Sequence, residues 1–181
     1  MLDDQGYRPN VAILLLNQHN KVFWAKRRGQ TSWQFPQGGI DPGETAEECL
    51  VREIYEEIGL RSEHIQVLGK TQSWLYYDVP NEFIRAAERG IYRGQKQIWF
   101  LLRLLGGDEH ISLNRHEKPE FDDWCWCDYW FPVDQVIEFK RPVYAQALNE
   151  LAPLVFLADS PDSAETFSQT PSTESNPDFV R

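Results

Sequence analysis

The sequence predicts a single α/β domain in which a sheet of mixed strands is layered with helices. Three observations carry that expectation. Apolar or alternating runs of strand length, punctuated by turn residues, recur along the chain. Two longer stretches instead carry apolar residues at helical spacing. And 181 residues with 41% apolar and 25% charged side chains suit one well-packed core but are short for two. The expected domain spans residues 1–158. From Asp159 to Arg181 the composition turns to Ser, Thr, Pro, Asp and Glu, an acidic tail expected to be disordered for want of apolar surface to bury.

The elements follow in order. Asn10 to Leu16 (NVAILLL) and Lys21 to Lys26 (KVFWAK) flank a polar NQHN and read as a hairpin. After the glycine-rich stretch WQFPQGGIDPGE, Thr45 and Glu48 have the form of a capping box, so a helix begins there. Leu50, Ile54 and Ile58 give it a buried stripe, and Gly59 ends it. His64 to Tyr77 and Gln97 to Leu105 read as further strands, Trp124 to Cys127 as another, and a turn of helix is expected from Val133. Val143, Ala147, Leu151, Leu154 and Val155 mark a C-terminal helix over Arg141 to Leu157. No internal repeat is present.

Neither a basic region followed by an apolar run at the N-terminus nor a window of ~18 apolar residues occurs, so neither secretion nor a membrane span is expected. Cys49, Cys125 and Cys127 lack the number and spacing of a disulfide framework, which points to a reducing cytoplasm. Cys125 and Cys127 alternate along a strand and share a face; two thiols alone make a poor metal site, so packing is their expected role. A net charge of −10 argues against coating DNA or RNA through a broad basic face, although recognition of one nucleic-acid end remains open.

The most informative stretch is the first helix. Glu53, Glu56 and Glu57 stand at i, i+3 and i+4, so their carboxylates converge on one patch. One reading is a solvated acidic face. The other is a site for a hard divalent cation, Mg²⁺ foremost with Mn²⁺ as an alternative, which oxygen ligands without His or Cys would suit. The preceding Gly-Gly turn favours the second reading. So does Arg52, four residues from both Glu48 and Glu56, where it can hold a carboxylate in place.

Gly38, Glu44, Arg52-Glu53-Ile54, Glu56-Glu57 and Gly59-Leu60, at these spacings, resemble the Nudix box at all nine of its fixed positions. That resemblance implies an α/β/α sandwich with a mixed central sheet. It also implies metal-dependent hydrolysis of a nucleoside diphosphate linked to another group. By the same resemblance Glu53, Glu56 and Glu57 hold more than one divalent ion, with the Gly38 carbonyl and a loop carboxylate, Glu120, as further ligands. Arg52 and Glu44 support the geometry, and Gly59 is structural. Glu53 is the favoured general base and Glu120 its competitor.

Four further segments, GYRPNV, WQFPQGGIDPGE, GQKQIWFLL and PEFDDWCWCDYWFPVDQVIEFKRPVY, resemble the branch of the family that acts as RNA 5′-pyrophosphohydrolases, over roughly residues 3–157. This implies removal of pyrophosphate or phosphate from a tri- or diphosphorylated RNA end, leaving a monophosphate that promotes mRNA decay. Arg8, Arg27, Lys96 and Lys140 are then the phosphate-binding cations, Phe139 a stacking platform, and Ser32, Tyr77, Gln95 and Ile137 the rest of the nucleotide pocket. A stimulating protein partner is left open. The rival reading is a diadenosine polyphosphate hydrolase. A silent domain that only binds nucleotides is a third, against which the intact box argues.

Overall fold

Strand alternation decides the layering. The computed structural model describes residues 2–157, so the expected tail lies outside the described residues. It contains β1 (Tyr7–Leu16), β2 (Val22–Arg27), β3 (Trp33–Gln34), β4 (Gln37–Gly39), α1 (Ala46–Ile58), β5 (Ile65–Lys70), β6 (Leu75–Asp78), β7 (Gly94–Leu104), β8 (Phe121–Cys127), α2 (Phe131–Gln135) and α3 (Arg141–Phe156). Val11, Ile13 and Leu15 of β1, with Phe100 and Leu102 of β7, pack on Leu50, Ile54 and Ile58 of α1. The intervening Ala12, Leu14 and Leu16, with Trp99 and Leu101, pack on Val143, Tyr144, Ala147, Leu148 and Leu151 of α3. A sheet whose central strands are apolar on both sides must be covered on both, and the result is an α/β/α sandwich.

The sheet runs β3-β2-β1-β7-β5, with β8 on β2, β4 on β1 and β6 on β7. It is mixed because β1 and β7 are parallel, from Tyr7 opposite Gly94 to Leu16 opposite Arg103, while the other pairs are antiparallel.

The expected hairpin of β1 and β2 forms only beside its turn, where Leu16 faces Val22. Further out the strands part. β1 takes β4 as its neighbour (Asn10 opposite Gly39, Val11 opposite Gly38), whereas β2 takes β3 and β8. This fork in the sheet brings the glycine-rich β4 beside α1.

The single strand expected over His64 to Tyr77 is two, β5 and β6, interrupted at Thr71 to Trp74. Both pair with the long β7, and the break is pinned to its middle: the Thr71 N–H donates to the Trp99 carbonyl (2.9 Å) and the Trp99 N–H to Thr71 Oγ1 (3.1 Å). Cys49 is buried and Cys127 packs half-buried against the α3-side core, but Cys125, two residues earlier on the same face of β8, is exposed rather than packed, because the core's cover reaches only the Cys127 end of that strand. No helix among the described residues is long and apolar enough to cross a membrane.

Candidate active site

α1 begins at the capping box: the Glu48 N–H donates to Thr45 Oγ1 (3.2 Å) and the Thr45 N–H to Glu48 Oε2 (2.8 Å). It ends at Gly59, whose φ of 75° is left-handed and which lies so near Ser112 that a Cβ would meet its carbonyl oxygen at 2.9 Å. With Leu50, Ile54 and Ile58 turned into the core, the neighbouring Glu53 and Glu57 are drawn below the surface, at 9% and 4% exposure, while Glu56 stays half-exposed.

Gly38 makes room for Glu53. A Cβ on Gly38 would stand 1.8 Å from the Glu53 Cδ and 1.9 and 2.3 Å from its two oxygens. Glu57 Oε2 accepts the Gln37 N–H at 3.0 Å, and its buried Oε1 has no hydrogen-bond partner among the described residues.

Arg52 clamps the group. Its Nε and Nη2 each reach Glu44 at 2.8 Å in a two-pronged pair, its Nη1 reaches Glu53 at 2.5 Å and Glu56 at 3.5 Å, and Nη2 also donates to the Gly39 carbonyl at 2.9 Å. Glu48, the other candidate partner of Arg52 in the sequence, is engaged in the helix cap instead.

These environments push the carboxyls apart in acidity. The Arg52 fork holds Glu44 down at about 2. Burial raises Glu53, against the pull of Arg52. Burial, followed by the charges of Glu120 and Glu53, raises Glu57 well above the ordinary carboxylate range.

Glu120 sits in an exposed bend before β8, far from α1 in sequence, and is brought beside Glu57 and Glu53. Its carbonyl accepts the Arg28 N–H at 2.7 Å. Among the described residues no three of these side chains form a finished coordination sphere, and Arg52 provides the positive charge on Glu53. The donors nevertheless fit a hard divalent ion. They are all oxygen, two are buried and resist ionisation without a countercharge, and Glu57 Oε1 is an acceptor in need of a partner. Glu53, Glu56, Glu57, Glu120 and the Gly38 carbonyl are the groups that would hold it.

A groove of ≈1030 Å³ opens from Glu53, Glu120 and Gly38 along the α3 side of the sheet. Eight residues expected to bind substrate line it. Arg8 and Gln95 come from the paired strands β1 and β7, Tyr77 from β6, Arg27 and Ser32 from the β2–β3 connection, and Ile137, Phe139 and Lys140 from the turn before α3.

Lys96, the ninth, does not join them. Alternation along β7 turns it to the opposite side from Gln95, where its Nζ pairs with Asp3 at 2.8 Å and lies over the Trp74 ring. Phe139 lies 6.1 Å from Tyr77 and 5.2 Å from Phe83, ring centre to ring centre, an aromatic wall for the groove. Lys140 is 8% exposed; its Nζ donates to Gln34 Oε1 and Gln37 Oε1, both at 3.3 Å, and burial lowers its pKa to about 8.

Sequence reasoning missed Gln37, whose backbone holds Glu57 and whose side chain accepts from Lys140, although it stands within the PQGG stretch singled out. It also missed Phe83, Arg85, Glu88 and Tyr92, which line the groove from a polar connector without periodicity and so without a signal.

Comparison with known proteins agrees with this architecture. A family model described as NUDIX domain matches residues 6–152. Solved structures of the same fold include a C. elegans Ap4A hydrolase in a binary complex, at 17% identity, 82% coverage of this chain, 98% of that chain and a TM-score of 0.59. The E. coli dihydroneopterin triphosphate pyrophosphohydrolase matches at 19% identity, with 79% and 98% coverage and a TM-score of 0.61. A MutT protein from Methanosarcina mazei matches at 16%, with 81% and 95% coverage and a TM-score of 0.55. At these identities the likeness is one of fold.

Proposed function

The chain belongs to the NUDIX domain family, a hydrolase of phosphoric anhydrides by that membership, and from this premise we propose that it removes pyrophosphate or phosphate from the 5′ end of tri- or diphosphorylated RNA. The product is a 5′ monophosphate, which promotes mRNA decay, and the setting is the cytoplasm. One observation supports this reading above others. In a chain of net charge −10, Glu53 of α1 and the loop carboxylate Glu120 open onto a groove lined by Arg8, Arg27, Arg85 and Lys140 and walled by Tyr77, Phe83 and Phe139. Local cations with aromatic faces suit the phosphates and first bases of a single strand, without the broad basic surface that non-specific binding needs.

In this reading Arg27 and Lys140 hold phosphate oxygens, and Phe139 stacks on a base. Arg52 fixes Glu44 and Glu53 in place. Burial raises the pKa of Glu53, the direction a base working near neutrality requires, and Glu53 takes the proton of the attacking water, with Glu120 as the competitor. More than one divalent ion, Mg²⁺ first by the donor set, supplies polarisation of the phosphorus and neutralisation of the leaving phosphate.

The test compares turnover of 5′-triphosphate RNA, 5′-diphosphate RNA and diadenosine tetraphosphate at identical metal and salt. Faster turnover of the RNA ends is expected. Equal or faster turnover of diadenosine tetraphosphate would sink the RNA reading in favour of a dinucleoside polyphosphate hydrolase.

A further inference from the structure

Residues 80–93 form a strap along one wall of the groove. Its base is closed by backbone: the Val79 N–H donates to the Arg93 carbonyl (2.9 Å), and the Arg93 N–H to that of Gly6 (2.8 Å). Between these ties lie two short 3-10 turns, Asn81–Phe83 and Ala86–Glu88, and within 80–93 Ile84 is the one buried large apolar side chain. Phe83, itself exposed, touches the Phe139 ring. With so few apolar contacts, the far half of the strap, residues 85–92, is held largely by polar ties, among them Arg89 Nε on the Ile84 carbonyl (3.4 Å) and one side-chain latch that crosses to β1.

That latch is the pair Arg8–Glu88, Nη2 to Oε1 at 3.2 Å, with the Arg8 guanidinium 5.2 Å over the Tyr92 ring. All three residues line the groove, and the Arg8 stem passes 3.9 Å from the position a Gly39 Cβ would take, on the strand that borders the carboxylate site. Glu88 therefore lies in a groove whose other charged groups, away from Glu53 and Glu120, are cations, and it occupies the cation nearest to it. A carboxylate oxygen held by an arginine N–H takes a place that a phosphate oxygen can also take.

We propose that Glu88 is a resident competitor for substrate phosphate: it holds Arg8 in the free enzyme and gives it up to a phosphate of the bound substrate, which frees the strap and tempers the affinity for phosphorylated ligands. The proposal rests on the groove being the substrate site. It adds a residue that sets phosphate affinity and that the sequence pattern does not mark. Arg8 keeps an anionic partner throughout, so the free enzyme leaves no unpaired guanidinium to collect adventitious anions, and the exchange releases the Glu88 carboxylate.

The test is a double-mutant cycle read by calorimetry on the full chain, with Glu88→Gln, Arg8→Ala and the double variant. The probes are a 5′-monophosphorylated dinucleotide, diadenosine tetraphosphate and adenosine. Glu88→Gln should tighten the phosphorylated probes about two- to fivefold, the range an exposed ion pair is worth. It should give no gain in the Arg8→Ala background and none for adenosine. In hydrogen exchange without ligand, amides 85–92 should open faster in Glu88→Gln than in wild type.

A gain that persists without Arg8 would show Glu88 acting through overall charge, and overturns the proposal. So does the absence of any gain. The result is separable from the substrate question. An Arg8-dependent gain confined to diadenosine tetraphosphate keeps the latch while the RNA reading falls, and loss of the gain on both probes removes the latch whichever substrate is turned over.

Discussion

Replacing Gly38 by alanine should cripple hydrolysis while leaving the protein folded. The added Cβ would stand 1.8 Å from Glu53 Cδ, where ordinary contact begins at 3.4 Å, so the carboxylate must retreat by about 1.6 Å. That movement breaks its 2.5 Å bond to Arg52 and takes the group most directly tied to the chemistry out of position. A misplacement on the order of 1 Å costs roughly 10²-fold in rate. The atoms in the way are the end of a side chain rather than backbone, so the fold should lose only about 1–3 kcal/mol, the usual cost of overpacking.

Gly39→Ala is the internal control. Its Cβ would meet nothing nearer than 3.9 Å, and it should behave as wild type. The assay is kcat at saturating Mg²⁺, with thermal melting followed by circular dichroism. A Gly38→Ala enzyme within threefold of wild-type kcat would refute the argument that Glu53 must sit against Gly38. A variant that does not fold would show that the clash cannot be relieved by the side chain.

Three further outcomes are expected. Phe139→Ala should cost about 1–3 kcal/mol of transition-state binding on RNA of two or more nucleotides and less on diadenosine tetraphosphate; equal losses would place the ring in a general role. Burial sets Lys140 at about 8, so kcat/KM for phosphorylated RNA should fall as pH rises past 8, and Lys140→Arg should flatten the profile. The sign for stability is opposite: an unfolded lysine holds more protons than the native one above that pH, so this titration makes the fold more stable as pH rises toward the ordinary lysine value, as melting across that range would show. The raised pKa of Glu57 means that the metal-free fold loses stability as pH climbs from 4.5 through the native value, while a divalent ion requires the ionised form. The rise in Tm on adding Mg²⁺ should therefore be larger at pH 8 than at pH 5.5, and a pH-independent rise would contradict the assignment of Glu57 as a ligand.

What the sequence determined by itself is local. The capping box at Thr45 and Glu48, the stripe Leu50, Ile54 and Ile58, and the stop at Gly59 are interactions between residues three to five apart, so their outcome is written in their spacing. The same spacing set Glu53, Glu56 and Glu57 on one patch and made the carboxylate site legible. What tertiary structure alone decided concerns residues far apart in the chain. Arg52 had two carboxylates within one helical turn, yet its fork closes on Glu44, because the folded loop delivers that side chain and the cap has already taken Glu48. Glu120 meets Glu57 only because β8 pairs with β2. Glu88 meets Arg8 across 80 positions of sequence only because β1 runs parallel to β7 and the strap returns beside it. Such contacts depend on loop closure and strand register, which no short window of sequence encodes. Spacing therefore proposed the carboxylates, and the fork in the sheet decided which of them are buried, which are clamped, and which groove they face.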